Sequence, residues 1–188
     1  MNTNEYFGRI REKIEEYITS INDGIINNNS LDIGLLLSDA QGLMSQLISM
    51  AQADTHTKVI SRLQGELEPL SRIGNILSEA KERNHDYNVY VIELDSDVSK
   101  HWRFTNRNCD YRPGCTCVYV GMSWHSPEAR FEKHKKGIHS NNYVRNYGLR
   151  LRPEYYTKYN PMLRKDAEFM EKWLAAALSK KGFAVWQG

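Results

Sequence analysis

The sequence predicts an α+β fold in two parts. An all-helical region over residues 1–84 precedes a small antiparallel sheet of about three strands, flanked by helices, over residues 85–188. Apolar residues recur at helical spacing through the first region. Two short runs rich in β-branched residues, at 88–92 and 117–121, indicate strands in the second region. The polar segment 81–86 between the two regions is expected to be a linker.

Three amphipathic helices are expected in the first region, with a break at residues 27–30 and another near Asp54. Their apolar faces consist of Phe7, Ile10, Ile14, Tyr17 and Ile21, then Leu36, Ala40, Leu43, Leu47 and Ala51, then Val59, Leu63, Leu67, Leu70, Ile73 and Leu77. These helices carry no recognisable catalytic motif. Two roles stay open for them, a scaffold packed on the second region or a module for homo-oligomerisation or partner binding.

The second region begins with two predicted strands, each with a tyrosine at its centre, Tyr90 and Tyr119. A helix is predicted to follow, because Ser126 is a good N-cap and Pro127 suits the first helical position. This helix is expected to end near Gly137. Arg130 and His134 lie four positions apart within it, so they share one helical face.

The remaining elements complete the predicted sheet and its covering helices. Residues 144–148 indicate a helical turn ending at Gly148, and the following residues alternate as in a third strand. A long helix is predicted over residues 166–178. Residues 182–186 are typical of a last short strand or an extended tail.

Residues 87–188 resemble the GIY-YIG nuclease domain. Tyr90 matches the tyrosine of the family's first element, with Asn88 and Val89 in place of its glycine and isoleucine, and the run 119–121 matches the second element closely. Arg130 matches the helix arginine and His134 a histidine found one turn later in many members. The helix over 166–178 resembles the one that bears the family's metal-binding glutamate, for which Glu171 is preferred over Glu168 because an apolar pair follows it.

The resemblance implies a metal-dependent endonuclease that hydrolyses phosphodiester bonds, with DNA as the expected substrate. Glu171 would hold one Mg²⁺ or another divalent cation such as Mn²⁺, and Arg130 would stabilise charge on the phosphate. Tyr90 would help to deprotonate the attacking water, with His134 as the acceptor of its proton and Tyr119 positioning the water or phosphate. The alternative is a catalytically inactive nuclease-like module that binds nucleic acid or protein, with the helical region used for assembly.

The two tyrosines lie 29 positions apart, farther than is usual in the family, so residues 95–116 are expected to form an inserted loop. The loop is rich in aromatic and basic residues, which could stack on bases and contact phosphates, or could pack on the domain itself. Candidate substrate-binding residues here and further along the chain are Arg103, Arg112, Arg145, Arg150 and Gln187.

Charge is distributed unevenly along the chain. Residues 1–84 hold 8 Lys or Arg and 12 Asp or Glu, a net charge of −4, whereas residues 85–188 hold 17 and 11, a net charge of +6. A basic region with most of the aromatic residues suits a polyanionic partner. The sequence has no apolar run of the roughly 18 residues that a membrane span needs. The first residues do not have the pattern of a signal peptide, so the cytoplasm is the expected location.

The three cysteines, Cys109, Cys115 and Cys117, suggest a zinc site with His101 or His125 as the fourth ligand. Their spacing is poor for zinc, because none of the usual Cys-x2-Cys pairs occurs. Reduced thiols without a shared role are the expected state.

Overall fold

The computed structural model describes residues 3–27, 32–51, 54–79, 86–108, 112 and 114–188. The chain divides into two compact units, Met1–Ser78 and Glu79–Gly188. The boundary predicted at residue 84 and most of the predicted linker lie outside the described residues. None of the helices within the described ranges combines the length and the apolar character that a membrane span requires.

The first unit consists of three helices, α1 (Thr3–Asn27), α2 (Ile33–Ser49) and α3 (Asp54–Glu79). Asp32 caps α2 by accepting a hydrogen bond from the backbone N–H of Leu35 at 3.0 Å. The buried stripe of α2 contains Leu37 and Met44, whereas the neighbouring Leu36 and Leu43 are only half-buried. The three helices are therefore present as predicted. Of the expected apolar face of α2, Ala40 and Leu47 are buried, whereas Leu37 and Met44 take the core positions expected for Leu36 and Leu43.

The second unit is built on a four-stranded mixed sheet with strand order β3-β1-β2-β4. Its strands are β1 (Asn88–Leu94), β2 (Cys117–Ser123), β3 (Gly148–Leu151) and β4 (Ala184–Gln187). Strand β1 pairs antiparallel with both β2 and β3, whereas β4 pairs parallel with β2. The α+β class is confirmed. The sheet has four strands where about three were expected, and it is mixed rather than antiparallel because β4 pairs parallel with β2. The tail forms a fourth strand, because the long helix before it returns the chain in the direction of β2.

Four α-helices of the described residues lie around this sheet: α4 (Trp102–Arg107), α5 (Pro127–Lys135), α6 (Asn142–Tyr147) and α7 (Arg164–Lys180). Helix α5 begins as predicted, since the Ser126 hydroxyl accepts from the backbone N–H of Ala129 at 3.2 Å and Pro127 is the first helical residue. Gly137 follows the helix with a φ of 77°, a conformation that favours glycine.

The insertion between β1 and β2 is largely helical where it is described, so the expectation of a loop was wrong. A 3-10 helix, Ser96–Lys100, is followed directly by α4. Val98 and Phe104 are both fully buried. Burial of these two apolar side chains fixes the segment to the domain. The basic and turn-forming residues around them had led to the prediction of a loop.

Candidate functional site

Tyr90 and Tyr119 lie on the adjacent strands β1 and β2 with their ring centroids 6.1 Å apart. Both rings are nearly buried, with 1% and 5% of their surface exposed. Gly121 stands opposite Tyr90 in the strand register. A Cβ at Gly121 would lie 2.8 Å from the Tyr90 hydroxyl and 2.7 Å from the Tyr119 ring. The two phenols therefore meet above Gly121. Any side chain at this position would displace one of the rings.

His134 is fully buried against this pair of rings, and its Nε2 lies 3.1 Å from the Tyr90 hydroxyl oxygen. The backbone N–H of Asn141 donates to Nδ1 of the same imidazole at 3.1 Å. Burial, together with the charge of Arg130, lowers the pKa of His134 to about 4, so the ring is neutral at pH 7. A neutral ring that accepts at Nδ1 carries its proton on Nε2. His134 therefore donates to Tyr90.

This direction corrects the role expected for His134. A ring whose Nδ1 is occupied by a backbone N–H and whose Nε2 is protonated does not accept a proton from Tyr90. The Asn141 contact that decides this could not be inferred from the spacing of Arg130 and His134.

The two tyrosine hydroxyls are not equivalent. The pKa of Tyr90 is raised above its ordinary value, chiefly by burial, although the charge of Arg130 and hydrogen bonds from Arg130 and Tyr119 oppose the rise. The pKa of Tyr119 is raised, first by burial and then by Tyr90, to which it donates a hydrogen bond. Several donors thus converge on the oxygen of Tyr90, and Tyr119 is one of them. Of the two phenols, Tyr90 is the better placed to lose its proton.

Arg130 lies between the tyrosine pair and a pocket of about 350 Å³. Its guanidinium donates to the backbone oxygen of His139 at 2.9 Å, which holds it in place. His139 has a φ of 46°, so the loop after α5 takes a conformation that non-glycine residues seldom adopt.

The pocket beside Arg130, which we call the cationic pocket, is lined by Tyr87, Met122, Ser123, Trp124, His125, Arg130, Lys133, Ile138 and His139. Lys133 Nζ lies 2.5 Å from Nε2 of His125, and burial and the charges of Lys133 and Arg130 lower the pKa of His125. His125 is therefore a neutral acceptor for the lysine. Within the described part of the chain, no carboxylate forms a salt bridge with Arg130 or Lys133. The uncompensated positive charge makes this pocket suitable for an anion.

Glu171 is the buried carboxylate of the site, with 7% of the residue exposed. Its Oε1 accepts from Nε2 of Gln187 at 3.1 Å, and the backbone N–H of Met122 also donates to the carboxylate. Burial raises the pKa of Glu171, and Glu171 in turn raises the pKa of Tyr90 and Tyr119. The carboxylate therefore lies near both phenols, where β4 ends beside β2.

The structure distinguishes Glu171 from the other candidate on the same helix. Glu168 is half exposed and pairs with Arg164 at 3.0 Å, one helical turn away. Glu171 forms no salt bridge with any described residue. A buried carboxylate without a cationic partner is an environment that a bound cation would stabilise.

A single Mg²⁺ fits this donor set. The described residues contain no group of three His, Cys, Asp or Glu side chains that could enclose a metal ion. Mg²⁺ does not need such a group, because it usually keeps several waters and binds one or two carboxylates together with substrate phosphate. Glu171 would supply the carboxylate.

The predicted substrate-binding residues are only partly brought to the site. Gln187 donates to Glu171, whereas Arg103 lies in α4 with its guanidinium 5.6 Å from the Trp102 ring centroid. Arg145 lies against Gly137, in the loop after α5. Arg112 is exposed on a segment whose neighbours lie partly outside the described residues.

Arg150 is placed away from the tyrosines. It lies on the edge strand β3 and forms a 3.0 Å ion pair with Glu93. Glu93 alternates with Tyr90 and Ile92 along β1 and so faces the opposite side of the sheet. A role for Arg150 in contacting substrate at this site is not supported by its position.

No site role was predicted for three residues that the structure places at the site: Lys133, Asn141 and Gly121. Lys133 lies three positions after Arg130 in α5, and that spacing could have identified it. Asn141 acts through its backbone N–H, which leaves no trace in the sequence. Gly121 was noted as part of the second element, but its steric role depends on the pairing of β1 with β2.

Neither of the two cysteines in the described part of the chain takes part in this site. Cys115 is half-buried and Cys117 is buried in β2, and burial raises the pKa of the Cys117 thiol to about 11. Cys109 lies outside the described residues. Cys117 is therefore a neutral thiol at pH 7.

No known protein family, characterised protein or solved structure matches the chain. The function is therefore inferred from the chemistry of the site formed by Tyr90, Tyr119, Arg130, His134 and Glu171.

Proposed function

We propose that the second unit is a metal-dependent endonuclease of the GIY-YIG type that hydrolyses phosphodiester bonds in DNA. The observation that carries the proposal is the convergence of hydrogen-bond donors on Tyr90, with the buried carboxylate of Glu171 nearby. A phenol with a pKa near 10 is a weak base at neutral pH. Donors aimed at its oxygen oppose the rise that burial causes in the pKa of Tyr90 and so stabilise the phenolate, which is the form that can take a proton from water.

In this mechanism each side chain has a separate task. Tyr90 accepts a proton from the attacking water, while His134 and Tyr119 donate to its oxygen and stabilise the negative charge. Arg130 stabilises charge on the phosphate in the transition state, a task suited to the fixed donors of a guanidinium. Lys133 binds a neighbouring phosphate in the cationic pocket.

Glu171 would hold the divalent cation, either Mg²⁺ or Mn²⁺. When bound, such an ion polarises a phosphate oxygen and stabilises the leaving oxygen. Gln187 orients the carboxylate through its hydrogen bond to Oε1. The net charge of +6 over residues 85–188 attracts the polyanionic substrate to this unit. The proposal places the protein in the cytoplasm.

Cleavage of plasmid DNA, linear DNA and RNA by the purified full chain, with Mg²⁺ and with a chelator, tests the proposal. DNA cleavage that requires the metal is expected. Arg130→Ala should lower the rate at saturating substrate by about 10²- to 10³-fold. Arg150→Ala is the matched control, because it removes an arginine that pairs with Glu93 on the opposite face of the sheet, and it should cleave normally.

Two results would contradict the proposal. One is the absence of metal-dependent cleavage of any nucleic acid by a well-folded protein, which together with intact binding would favour a non-cutting nuclease-like module. The other is equal loss of activity in Arg130→Ala and Arg150→Ala, since the cationic pocket would then have no special role.

For the first unit we propose a role in homo-oligomer assembly. Two large apolar side chains on α2, Leu35 and Ile48, are 59% and 46% exposed in the single chain. Sedimentation of the full chain across a concentration range should show a concentration-dependent oligomer, and Leu35→Glu should weaken it. A single monomeric species at all concentrations would contradict this role.

A further inference from the structure

An open groove of about 800 Å³ lies beside the tyrosine pair in the second unit. It is bounded by the segment that ends in α4, by α6 and by β4. Aromatic and amide side chains dominate its lining, and we call it the amide groove after Trp102, Arg103, Asn142, Tyr143, Asn146 and Trp186. None of these residues has a task in the hydrolysis proposed above.

The amide groove adjoins the candidate active site at two points. Trp186 stands opposite Tyr119 in the parallel pairing of β4 with β2, so the two side chains lie next to each other on one face of the sheet. Asn141 lines the groove and donates its backbone N–H to His134. A ligand in the groove would therefore contact Trp186, which is the neighbour of Tyr119, and Asn141, which is the neighbour of His134.

The chemistry of the amide groove differs from that of the cationic pocket. Arg103 is the one permanently charged side chain among the described residues that line it. Asn142 and Asn146 lie one turn apart on α6, both are exposed, and neither side chain is hydrogen-bonded to a described residue. Planar rings beside free amide groups suit a nucleobase, whose faces stack on aromatic side chains and whose edges pair with donors and acceptors.

The aromatic wall of the groove is fixed in place by the core. Phe104 is fully buried, lies nearly parallel to Trp186 at 6.2 Å, and meets Tyr143 edge-on at 5.7 Å. These contacts anchor α4, whose first residue is Trp102. The Trp102 side chain nevertheless stays 69% exposed. Because its indole is exposed, Trp102 contributes little to folding. Its ring is instead a stacking surface for a ligand.

We propose that the amide groove binds an unstacked nucleobase next to the scissile phosphate. The substrate class is then nucleic acid with an unpaired or extruded nucleotide at this position, because a base within a continuous duplex is stacked on its neighbours and cannot stack on Trp102. The position of the scissile phosphate rests on the proposed nuclease function, but base binding itself requires neither metal nor cleavage.

Fluorescence anisotropy with the full chain, without divalent metal, tests the proposal with three labelled DNA probes. The first is a duplex with one unpaired adenine, the second carries an abasic residue in its place, and the third is the continuous duplex. The adenine probe should bind about 10-fold more tightly than the abasic probe, as expected for one base stacked on an aromatic side chain. The continuous duplex should bind no better than the abasic probe.

Two variants locate this preference. Trp102→Ala and Asn146→Ala should each bring the ratio of the two affinities towards one. Leu149→Ala is the matched control, because Leu149 is also an exposed apolar residue, 53% accessible, on the opposite edge strand β3. It should leave the ratio unchanged. Asn146 is exposed and polar, so its variant reports on the groove even if Trp102→Ala folds poorly.

Equal affinity for the adenine and abasic probes would overturn the proposal, and so would an unchanged ratio in both groove variants when they are well folded. Cleavage with Mg²⁺ is measured separately on the same probes. Base preference without cleavage would support the base site and contradict the nuclease function. Cleavage without base preference would support the nuclease function and overturn the base site.

Discussion

The two units of this protein bury different kinds of side chains. In the described part of the first unit no polar or charged residue is buried, and the core consists of apolar residues such as Ile14, Leu47 and Leu63. The second unit buries Ser123, His134 and Glu171 as well as its apolar core. Burying a polar group lowers stability unless its hydrogen bonds are restored. His134 and Glu171 recover part of this loss through hydrogen bonds with Tyr90, Asn141 and Gln187, and their burial fits the catalytic role that we propose for them.

The charges of the two units differ in the same way. The first unit is acidic, and its ion pairs, such as Lys13 with Glu16 and Arg62 with Glu66, lie on exposed helix surfaces. Such pairs contribute about 0–1 kcal/mol each. In the second unit Arg130 and Lys133 stand beside a pocket without a carboxylate partner among the described residues. In the second unit, two cationic side chains therefore line one pocket, where their positive charge is available to a ligand.

The comparison is tested most strongly at Glu171, where we expect a functional carboxylate rather than a structural one. Glu171→Gln should reduce Mg²⁺-dependent cleavage below detection while the protein stays folded. In the natural chain, Mg²⁺ at about ten times its dissociation constant should raise the melting temperature by roughly 3 °C, because it binds only the folded state. The Gln variant should lose this shift. Thermal melting with and without Mg²⁺ measures it.

Glu168→Gln is the control for this experiment, since Glu168 lies on the same helix but is exposed and paired with Arg164. It should keep both cleavage and the Mg²⁺-dependent shift in melting temperature. If Glu171→Gln kept them and Glu168→Gln lost them, the metal ligand would be wrongly assigned.

The next largest effect on the cleavage rate is expected from Tyr90, because the two tyrosines have different roles in the proposed mechanism. Tyr90→Phe removes the proposed base and should lower the cleavage rate by about 10²- to 10⁴-fold. Tyr119→Phe removes only one hydrogen bond to the Tyr90 oxygen, so it should cost about 10-fold. Single-turnover cleavage on one substrate measures both, with circular dichroism as the folding control. A larger loss for Tyr119→Phe would reverse the two roles.

The sequence was informative where local pattern decides structure. The β-branched runs around Tyr90 and Tyr119 predicted adjacent strands, and Ser126 with Pro127 predicted the start of α5, since capping and strand propensity act over a few residues. Tyr90, Tyr119, Arg130 and His134 lie on these elements, but they were proposed as site residues from the resemblance to the GIY-YIG domain and not from local propensity.

Features that depend on long-range contacts could not be predicted in this way. The parallel pairing of β4 with β2 follows from the path of the chain after α7. The helical insertion depends on the burial of Phe104 against residues more than thirty positions away, Tyr143 and Trp186. The proton position on His134 depends on a backbone group of Asn141. Each of these is set by tertiary contacts that no local pattern encodes.

A matched pair of core substitutions separates folding from chemistry. Ile14 in α1 and Ile92 in β1 are both fully buried. Replacing either with Ala should cost about 2–5 kcal/mol of unfolding free energy. Only Ile92→Ala should also slow cleavage, because Ile92 stands opposite Tyr119 in the sheet and the cavity would displace that ring. Denaturant unfolding and cleavage per folded molecule measure the two effects. Equal loss of cleavage in both variants would show that the first unit also supports catalysis.

The smallest expected effect is the pH dependence that His134 gives to the second unit. Its pKa is lowered from 6.5 to about 4 on folding, so the unfolded chain takes up a proton at higher pH than the folded chain does. The stability that the neutral ring contributes is complete above pH 6.5 and is lost as the pH falls towards 4. His134→Gln has no titrating group and should show a flatter dependence, with a difference of about 3 kcal/mol across this range. Urea unfolding of both proteins at several pH values measures it, and comparing the two cancels the carboxylates that they share. Parallel stability curves for the two proteins would mean that His134 does not titrate as a buried neutral ring, and the direction of its hydrogen bond to Tyr90 would have to be revised.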